Sequence, residues 1–186
     1  DWIERVGQYC VGNSRMLLTV SISFAAILLK HSGEGNAIFG LYGVTSGGKS
    51  TTQNVGASVH GYPEEFKQTW NGTATGFEAV ASQHNDSVIV MDELGEVDAK
   101  VLAQLIYMFA NGIGRQRGDR DAMARPRKTF RILGSSSGEV KAESLIAGAG
   151  QTMQGGVELR LLEIPADAGA GHGVFENLHG RKDGAE

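Results

Sequence analysis

The stretch GVTSGGKS, residues 43–50, decides the fold of this chain. It fits the spacing G-x-x-x-x-G-K-[ST], in which glycines let backbone N–H groups close around a phosphate, the lysine reaches the outer phosphate oxygens and the hydroxyl coordinates Mg²⁺. The apolar run 36–42 precedes it, and residues 50–60 continue at helical length without proline. We therefore predict a phosphate-binding site between a strand and the start of a helix. Its predicted lining residues are Gly43, Thr45, Ser46, Gly47, Gly48, Lys49, Ser50 and Thr51.

Two adjacent carboxylates, Asp92 and Glu93, follow the apolar strand candidate 87–91. A strand that is apolar on both faces is typical of the middle of a parallel sheet. At its carboxyl end Asp92 would hold Mg²⁺ together with Ser50, while Glu93 would orient the water that attacks the γ-phosphate of ATP. The adjacent glutamate favours an ATP hydrolase over a kinase or a Ras-like GTPase, and the sequence has no Asn-Lys-x-Asp motif for reading guanine.

Two further strand candidates bear on this site. Residues 66–70 lie between the phosphate loop and the acidic pair in the chain, and we expect them to be inserted between the lysine strand and the acidic strand in the sheet, by analogy with additional-strand ATPases. Residues 129–133 form the other candidate, followed by a predicted turn at 134–138. Ser136 would contact the γ-phosphate or the attacking water; the alternative is that the serines only make the turn.

The rest of the chain alternates between helical and extended patterns. Helices are predicted within 1–31, with Ser14 capping the second of two, and near 75–84, 98–111 and 139–147, and a last strand over 157–164. This alternation predicts an α/β fold of the P-loop NTPase class, a three-layer α/β/α domain with a mainly parallel sheet of about five strands, of the additional-strand, RecA/AAA+-like type. We divide the chain into an N-terminal helical lead-in, 1–31, and an ATPase domain, 32–186.

The composition fits one soluble domain rather than a fibre, a disordered chain or a disulfide-stapled secreted protein. The chain has 186 residues, 41% of them hydrophobic, a net charge of −4 and a single cysteine, which cannot form an internal disulfide. The longest apolar stretch, 17–29, is shorter than the roughly 20 residues that a bilayer requires. We therefore predict a buried helix, no membrane association and a cytoplasmic location. Because the chain begins without Met and ends in GRKDGAE, we expect it to be a piece of a larger protein.

Positive charge is concentrated in residues 115–131, which contain seven basic and two acidic residues. Three interpretations are open: the segment grips nucleic-acid phosphates, it reaches the ATP of a neighbouring subunit with arginine fingers, or it forms a solvated loop with salt bridges. The candidates for the first two roles are Arg115, Arg117, Arg120, Arg125 and Arg127.

Arg160 is a separate candidate, because it lies among leucines on the last predicted strand. An unpaired charge is costly to bury, so its side chain has to face solvent, a partner or a phosphate. From the residues alone, a solvent-facing position on an alternating strand and a catalytic role are both open.

A set of short motifs along the chain resembles the family known as domain of unknown function 927. The resemblance covers nearly the whole chain from about residue 15. The motifs are Gly43-Val-Thr-Ser-Gly-Gly-Lys-Ser-Thr-Thr52, His84-Asn-Asp86, Met91-Asp-Glu-Leu-Gly95, Ala110-Asn-Gly112, Arg115-Gln-Arg117, Arg125-Pro126, Ser136-Ser-Gly-Glu139 and Arg160-Leu-Leu-Glu-Ile-Pro-Ala-Asp167.

The resemblance implies a helicase-like ATPase that forms rings and is associated with phages, plasmids and integrated elements, often beside a primase module. It implies that Lys49 and Ser50 occupy the phosphate-loop positions and that Asp92 and Glu93 form the acidic pair. It also implies that Arg160 acts as a finger on a neighbour's ATP, as the corresponding arginine does in related ring helicases.

We expect a Mg-ATP-dependent nucleic-acid motor, a DNA helicase of mobile-element replication that hydrolyses ATP between the subunits of a ring, with a hexamer as the candidate size. Its expected ligands are ATP, Mg²⁺ and single-stranded or forked DNA. The alternative is an ATP-dependent switch or loader that acts on a protein partner without DNA translocation. A structural protein built around residues 1–31 is disfavoured by the intact phosphate loop and acidic pair.

Overall fold

The computed structural model describes residues 1–116, 126–152 and 160–184. A π-helical turn, Ile3–Gly7, opens the chain, and a 3₁₀ turn, Leu94–Glu96, follows the third strand. The helices are α1 (Gln8–Cys10), α2 (Ser14–Ser32), α3 (Lys49–Ala57), α4 (Pro63–Phe66), α5 (Ala74–Gln83), α6 (Ala99–Asn111) and α7 (Ala142–Gly148). The strands are β1 (Ala37–Tyr42), β2 (Lys67–Thr69), β3 (Ser87–Asp92), β4 (Ile132–Gly138) and β5 (Leu161–Pro165).

Within the described residues, five strands form one parallel sheet in the order β2-β3-β4-β1-β5. Helices α2 and α3 pack on one face around Ile22, Val88 and Leu133. On the other face, α5, α6 and α7 pack around a larger core that includes Trp70 and Phe109. The predicted three-layer α/β/α fold with a parallel sheet of about five strands is confirmed.

The strand inserted between β1 and β3 is β4, so our prediction that residues 66–70 take this place is wrong. β4 pairs with β1 on one side and with β3 on the other. β2 pairs with β3 and lies at the edge of the sheet. The physical reason lies in its sequence, Lys-Gln-Thr, because such polar side chains cannot fill the centre of a sheet covered by helices on both faces.

β4 also runs through residues 134–138, where we predicted a turn. All of its residues are buried. Its backbone groups are satisfied by strands on both sides, which overrides the turn preference of glycine and serine. Small residues fit here because neighbours are close: a Cβ at Gly134 would lie 3.1 Å from Cγ1 of Ile38.

Helix α2 is apolar on two faces, of which only one is buried. Ile22, Ala26 and Leu29 pack against α3 and the sheet. Large apolar side chains are exposed on the other face, namely Leu17, Phe24, Ile27 and Leu28. Among the described residues α2 alone is long and apolar enough to cross a membrane, and a third of its apolar window is buried in the protein. The division of the chain at residue 31 stays a prediction. α2 contributes to the same core as the strands that follow it.

Helix α6 begins and ends where its sequence predicts. The Asp98 carboxylate accepts a hydrogen bond of 2.8 Å from the backbone N–H of Lys100, and Gly112 ends the helix with a φ of +65°. Its apolar stripe, including Leu102, Leu105 and Phe109, is fully buried. Because these caps and this periodicity depend only on residues within the helix and at its ends, they can be predicted from the sequence.

We expect Gly112→Ala to destabilise the protein more than the matched substitution Gly33→Ala. Both glycines follow a helix with positive φ, so alanine costs roughly 1 kcal/mol at either position. A Cβ at Gly112 would also lie 2.5 Å from the carbonyl oxygen of Phe130, whereas at Gly33 nothing lies within 4 Å. We expect a total loss of about 3 kcal/mol at Gly112, measured by urea unfolding; equal losses at the two positions would contradict this account.

Candidate functional site

The predicted phosphate loop connects β1 to α3, and its lysine is folded into it. The Lys49 ammonium donates hydrogen bonds of 2.8 Å to the carbonyl oxygens of Gly43 and Val44. Lys49 is buried, and the salt bridges among the described residues do not include it. A buried cation held only by neutral carbonyls favours the entry of an anion.

The loop opens onto a cavity of about 760 Å³. Ser50 and Thr51 lie in the first turn of α3, where unpaired N–H groups and the helix dipole favour phosphate. Gly48 precedes this turn with a φ of +86°. Seven of the eight predicted loop residues line the cavity, namely Thr45, Ser46, Gly47, Gly48, Lys49, Ser50 and Thr51. The eighth, Gly43, accepts a hydrogen bond from Lys49.

Asp92 ends β3 and is held by side chains from two other strands. Ser137 on β4 donates a hydrogen bond to its Oδ1, and the Lys67 ammonium on β2 lies 3.1 Å from its Oδ2. Burial pushes the pKa of Asp92 upward, but the bonds from Ser137 and Lys67 outweigh it, so that the pKa lies below its ordinary value. The carboxylate is therefore ionised at neutral pH.

Glu93 lines the same cavity and has an unusual backbone conformation. Its φ is +56°, in the left-handed region that non-glycine residues rarely adopt. Its N–H donates to Oδ1 of Asp92 at 3.1 Å and to Oγ of Ser137 at 3.2 Å, and these bonds hold the conformation. Strain of this kind is common where a catalytic side chain has to be aimed.

The residues predicted to hold Mg²⁺ are brought together. Oγ of Ser50 lies 3.4 Å from Oδ1 of Asp92, beside the phosphate loop. A hydroxyl and an ionised carboxylate are oxygen ligands of the kind that Mg²⁺ prefers, and this metal takes its other ligands from water and phosphate. The donor set therefore fits the predicted ion.

The serine that faces the cavity is Ser137 rather than Ser136. Ser136 is buried on the opposite face of β4, where its hydroxyl accepts a hydrogen bond of 3.0 Å from Nε1 of Trp70. Ser137 lines the cavity beside Glu93. A run of glycine and serine indicates a turn, whereas in a strand successive side chains lie on opposite faces, which separates the two serines. A direct role of Ser136 at the γ-phosphate stays a prediction, and it is not the one that this geometry favours.

Lys67 is a residue of the site that our sequence analysis missed. Its ammonium and the Asp92 carboxylate are both largely buried, at 19% and 18% exposed. β2 lies beside β3 in parallel, with Thr69 opposite Asp92. The only sequence signal was a lysine in a short strand candidate, which does not identify its partner.

Arg160 lies at the amino ends of the strands, whereas the phosphate loop lies at their carboxyl ends. It precedes β5, and its carbonyl accepts a hydrogen bond from Ile38 near the start of β1. Its guanidinium donates to the carbonyl of Ala110 at 2.9 Å and to Oδ1 of Asn111 at 3.1 Å, at the C-terminus of α6, where a cation is favourable. Within one chain Arg160 is not brought to the predicted catalytic residues, so its action on a neighbour stays a prediction.

Two of the five other arginine candidates border an open groove beside α6. Arg115 donates a hydrogen bond to Gln104, and Nε of Arg127 donates to Oε1 of Gln116 at 2.6 Å. Tyr107 is exposed in the same groove. Arg117, Arg120 and Arg125 lie outside the described residues. The geometry of Arg115 and Arg127 leaves the three interpretations of the basic segment open.

A family profile, Domain of unknown function (DUF927), matches residues 1–129, which is more than half of the chain. The chain belongs to the DUF927 family. The resemblance drawn from the motifs is thereby confirmed, and the match starts at residue 1 rather than near residue 15. The motifs around Ser136 and Arg160 lie beyond the matched part. No curated protein matches this DUF927 chain.

Several solved structures are similar to the DUF927 chain. The SCCmec type IV Cch active helicase aligns with a TM-score of 0.66 and 24% identity over 88% of this chain and 30% of its own. NtrX from Brucella abortus in complex with ADP aligns at 0.44 and 12% identity, covering 78% and 36% of the two chains. A Thermotoga maritima RuvB P216G mutant aligns at 0.41 and 13% identity, covering 83% and 46%. The helicase comparison confirms the P-loop NTPase fold, and the DUF927 chain spans less than a third of that helicase.

We expect Lys67→Met to destabilise the DUF927 chain by about 1–3 kcal/mol at neutral pH, because it leaves the Asp92 carboxylate without its buried partner. The folded-state pKa of Asp92 is lowered, so its contribution to stability is present above the unfolded value of 3.8 and is lost as pH falls through the folded value. The gap between wild type and variant should therefore shrink below about pH 4. Urea unfolding across pH measures it.

The matched control is Arg131→Met, which breaks the more exposed ion pair of Arg131 with Asp86. Exposed ion pairs contribute little to stability because solvent screens them, so this loss should be smaller. A loss at Lys67 no larger than at Arg131, or one that does not change with pH, would contradict the role assigned to Lys67.

Proposed function

We propose that the chain is the ATPase module of a Mg-ATP-dependent nucleic-acid motor, a DNA helicase of mobile-element replication. The observation that carries the proposal is the convergence of Lys49 and Ser50, at the start of α3, with Asp92 and Glu93, at the end of β3. Lys49, Ser50 and Glu93 line one cavity, and Asp92 lies against Ser50 beside it. A phosphate loop, a metal-binding carboxylate and a second carboxylate are the parts that ATP hydrolysis requires.

Each residue has a defined task in this reaction. The loop N–H groups and Lys49 bind the β- and γ-phosphates. Ser50 and Asp92 would hold Mg²⁺, which would neutralise charge on the phosphates. Glu93 accepts a proton from the attacking water as the water oxygen bonds to the γ-phosphorus and the bond from that phosphorus to the bridging oxygen of ADP breaks. The ionised state of Asp92 and the fixed backbone of Glu93 prepare the site before ATP arrives.

The motor part of the proposal assigns roles to the arginines. Arg115 and Arg127 border the groove beside α6, and we assign this groove, with the arginine candidates Arg117, Arg120 and Arg125, to single-stranded or forked DNA. Arg160 lies at the amino ends of the strands, the end opposite to the phosphate loop. In a ring, with a hexamer as the candidate size, the amino ends of the strands would face the ATP of a neighbouring subunit. Arg160 would act there as the arginine finger. A primase module is the proposed partner and the cytoplasm the proposed location.

The second candidate function is an ATP-dependent switch or loader that acts on a protein. The exposed apolar side chains of α2, among them Phe24 and Leu28, favour it, because such a surface is typical of a protein contact. Its ATP site would be the same, but DNA would not stimulate hydrolysis.

Lys49→Ala and Glu93→Gln separate binding from chemistry. We expect Lys49→Ala to weaken ATP binding by roughly 100-fold or more. Glu93→Gln should keep binding but lower turnover by about 100-fold to 10,000-fold, because an amide cannot accept the proton. Calorimetric binding of ATP with Mg²⁺ and steady-state phosphate release measure the two effects. Turnover at the parental rate in Glu93→Gln would show that Glu93 does not position the water.

ATP hydrolysis with and without single-stranded DNA across a salt series distinguishes the motor from the switch. We expect DNA to stimulate hydrolysis at low salt and the stimulation to fade as salt rises, because phosphate contacts release counterions. The variants Arg115→Gln and Arg127→Gln should lose stimulation, while the control Arg131→Gln, whose partner is Asp86, should retain it. Hydrolysis that is indifferent to DNA at every salt concentration would favour the loader.

A further inference from the structure

The segment that follows β5 returns to the phosphate loop and packs directly on it. The N–H of Val174 donates a hydrogen bond of 2.9 Å to the carbonyl of Gly47, and Val174 is fully buried. A Cβ at Gly48 would lie 2.5 Å from the Val174 side chain, and a Cβ at Gly173 would lie 2.5 Å from the Gly47 carbonyl oxygen. The two backbones are therefore so close that both positions require glycine.

The same segment is fastened to the N-terminal helices by one buried side chain, Asn13. Its Oδ1 accepts hydrogen bonds from the N–H groups of Glu176 and Asn177, at 2.8 and 2.9 Å. Its Nδ2 donates to the carbonyls of Asn177 and Tyr9, both at 2.9 Å. All hydrogen-bonding positions of this amide are thus used to hold residues 176–177 against α1 and α2.

A small cavity of about 200 Å³ lies between these two fastened segments. Tyr9, Met16, Phe175 and Leu178 form its apolar and aromatic walls, and it reaches Thr51 in the first turn of α3. Polar and charged side chains also line it, namely Asn13, Asn177, His179, Arg181 and Asp183. The larger cavity over the phosphate loop shares Thr51, Phe175, Asp183 and Gly184 with it. We call the small cavity the slot.

The orientation of a nucleotide in the loop follows from the catalytic residues. Glu93 and Ser137 line the larger cavity but not the slot. The terminal phosphate has to face Glu93 for hydrolysis, so the nucleoside end points the other way along the first turn of α3. Thr51, at that end, is where the slot begins.

We propose that the slot binds the adenine base of the nucleotide, a statement that rests on the proposed ATPase function. A flat purine ring requires aromatic or thioether surfaces on its faces, and Met16 and Phe175 supply them beside the loop. Tyr9 forms a further wall, and its ring is held by the Arg181 guanidinium, 4.9 Å from the ring centroid. Asn177 and Asp183 also line the slot, and their polar groups are of the kind that hydrogen-bond the ring's nitrogen atoms. Residues 1–31 and 166–184 thereby form the base-binding half of the site, and the loop forms the phosphate-binding half.

The test compares ADP with inorganic pyrophosphate, which has the same number of phosphates, by calorimetric titration in the presence of Mg²⁺. Wild type should bind ADP more tightly than pyrophosphate, because only ADP carries a nucleoside. Tyr9→Ala removes a wall of the slot, and Leu178→Trp fills it. Each should weaken ADP binding by roughly 10-fold or more, the scale of a base–aromatic contact, while pyrophosphate binding stays within about twofold. Tyr62→Ala removes an exposed tyrosine that lines neither cavity, and it should change neither affinity.

The outcomes separate this inference from the proposed function. If wild type binds neither probe, the ATPase proposal itself fails. If wild type binds both probes equally, or if both slot variants weaken the two probes to the same extent, the loop binds phosphate but the slot does not bind the base, and the inference is overturned. Thermal unfolding of each variant identifies any that fails to fold, and the other slot variant then decides.

Discussion

The Asp92 carboxylate is the buried charge on which the rest of the site depends. A charge in this position is tolerated only when it is paired, and its partners come from strands on both sides, Ser137 on β4 and Lys67 on β2. Those partners in turn require β4 to lie between β1 and β3 and β2 to lie outside β3. The buried Asp92 carboxylate therefore finds both partners only in a sheet with this strand order.

The same constraint sets the geometry of the proposed ATPase site. Because Oδ1 of Asp92 also accepts a hydrogen bond from the N–H of Glu93, the chain turns sharply at the end of β3 and Glu93 enters the cavity. Ser50 approaches the same oxygen atom from α3. One carboxylate oxygen thus aligns the phosphate loop, the acidic pair and the neighbouring strand before any ligand is bound, which is how a site avoids reorganisation during the reaction.

The amino ends of the strands carry positively charged side chains rather than the phosphate loop. Arg160 closes the C-terminus of α6 there, and the groove of Arg115 and Arg127 opens beside the same helix. In the proposed ring, ATP is hydrolysed at the carboxyl ends of the strands, and the amino ends contact DNA and the next subunit. The segment after β5 lies at the carboxyl ends of the strands, and Asn13 bonds it to the N-terminal helices beside the loop.

The sequence by itself determined the phosphate loop, the acidic pair and helix α6, because each depends on residues close together in the chain: a fixed spacing, an apolar run or a pair of caps. It also determined the α/β class through its alternating patterns. Only the tertiary structure decided that β4 is the inserted strand, that Ser137 rather than Ser136 faces the cavity, and that Lys67 pairs with Asp92. These features depend on strand order and register, which are set by contacts between residues far apart in the chain, such as Ser137 and Asp92, which are 45 positions apart. No local sequence pattern determines which strand lies beside which.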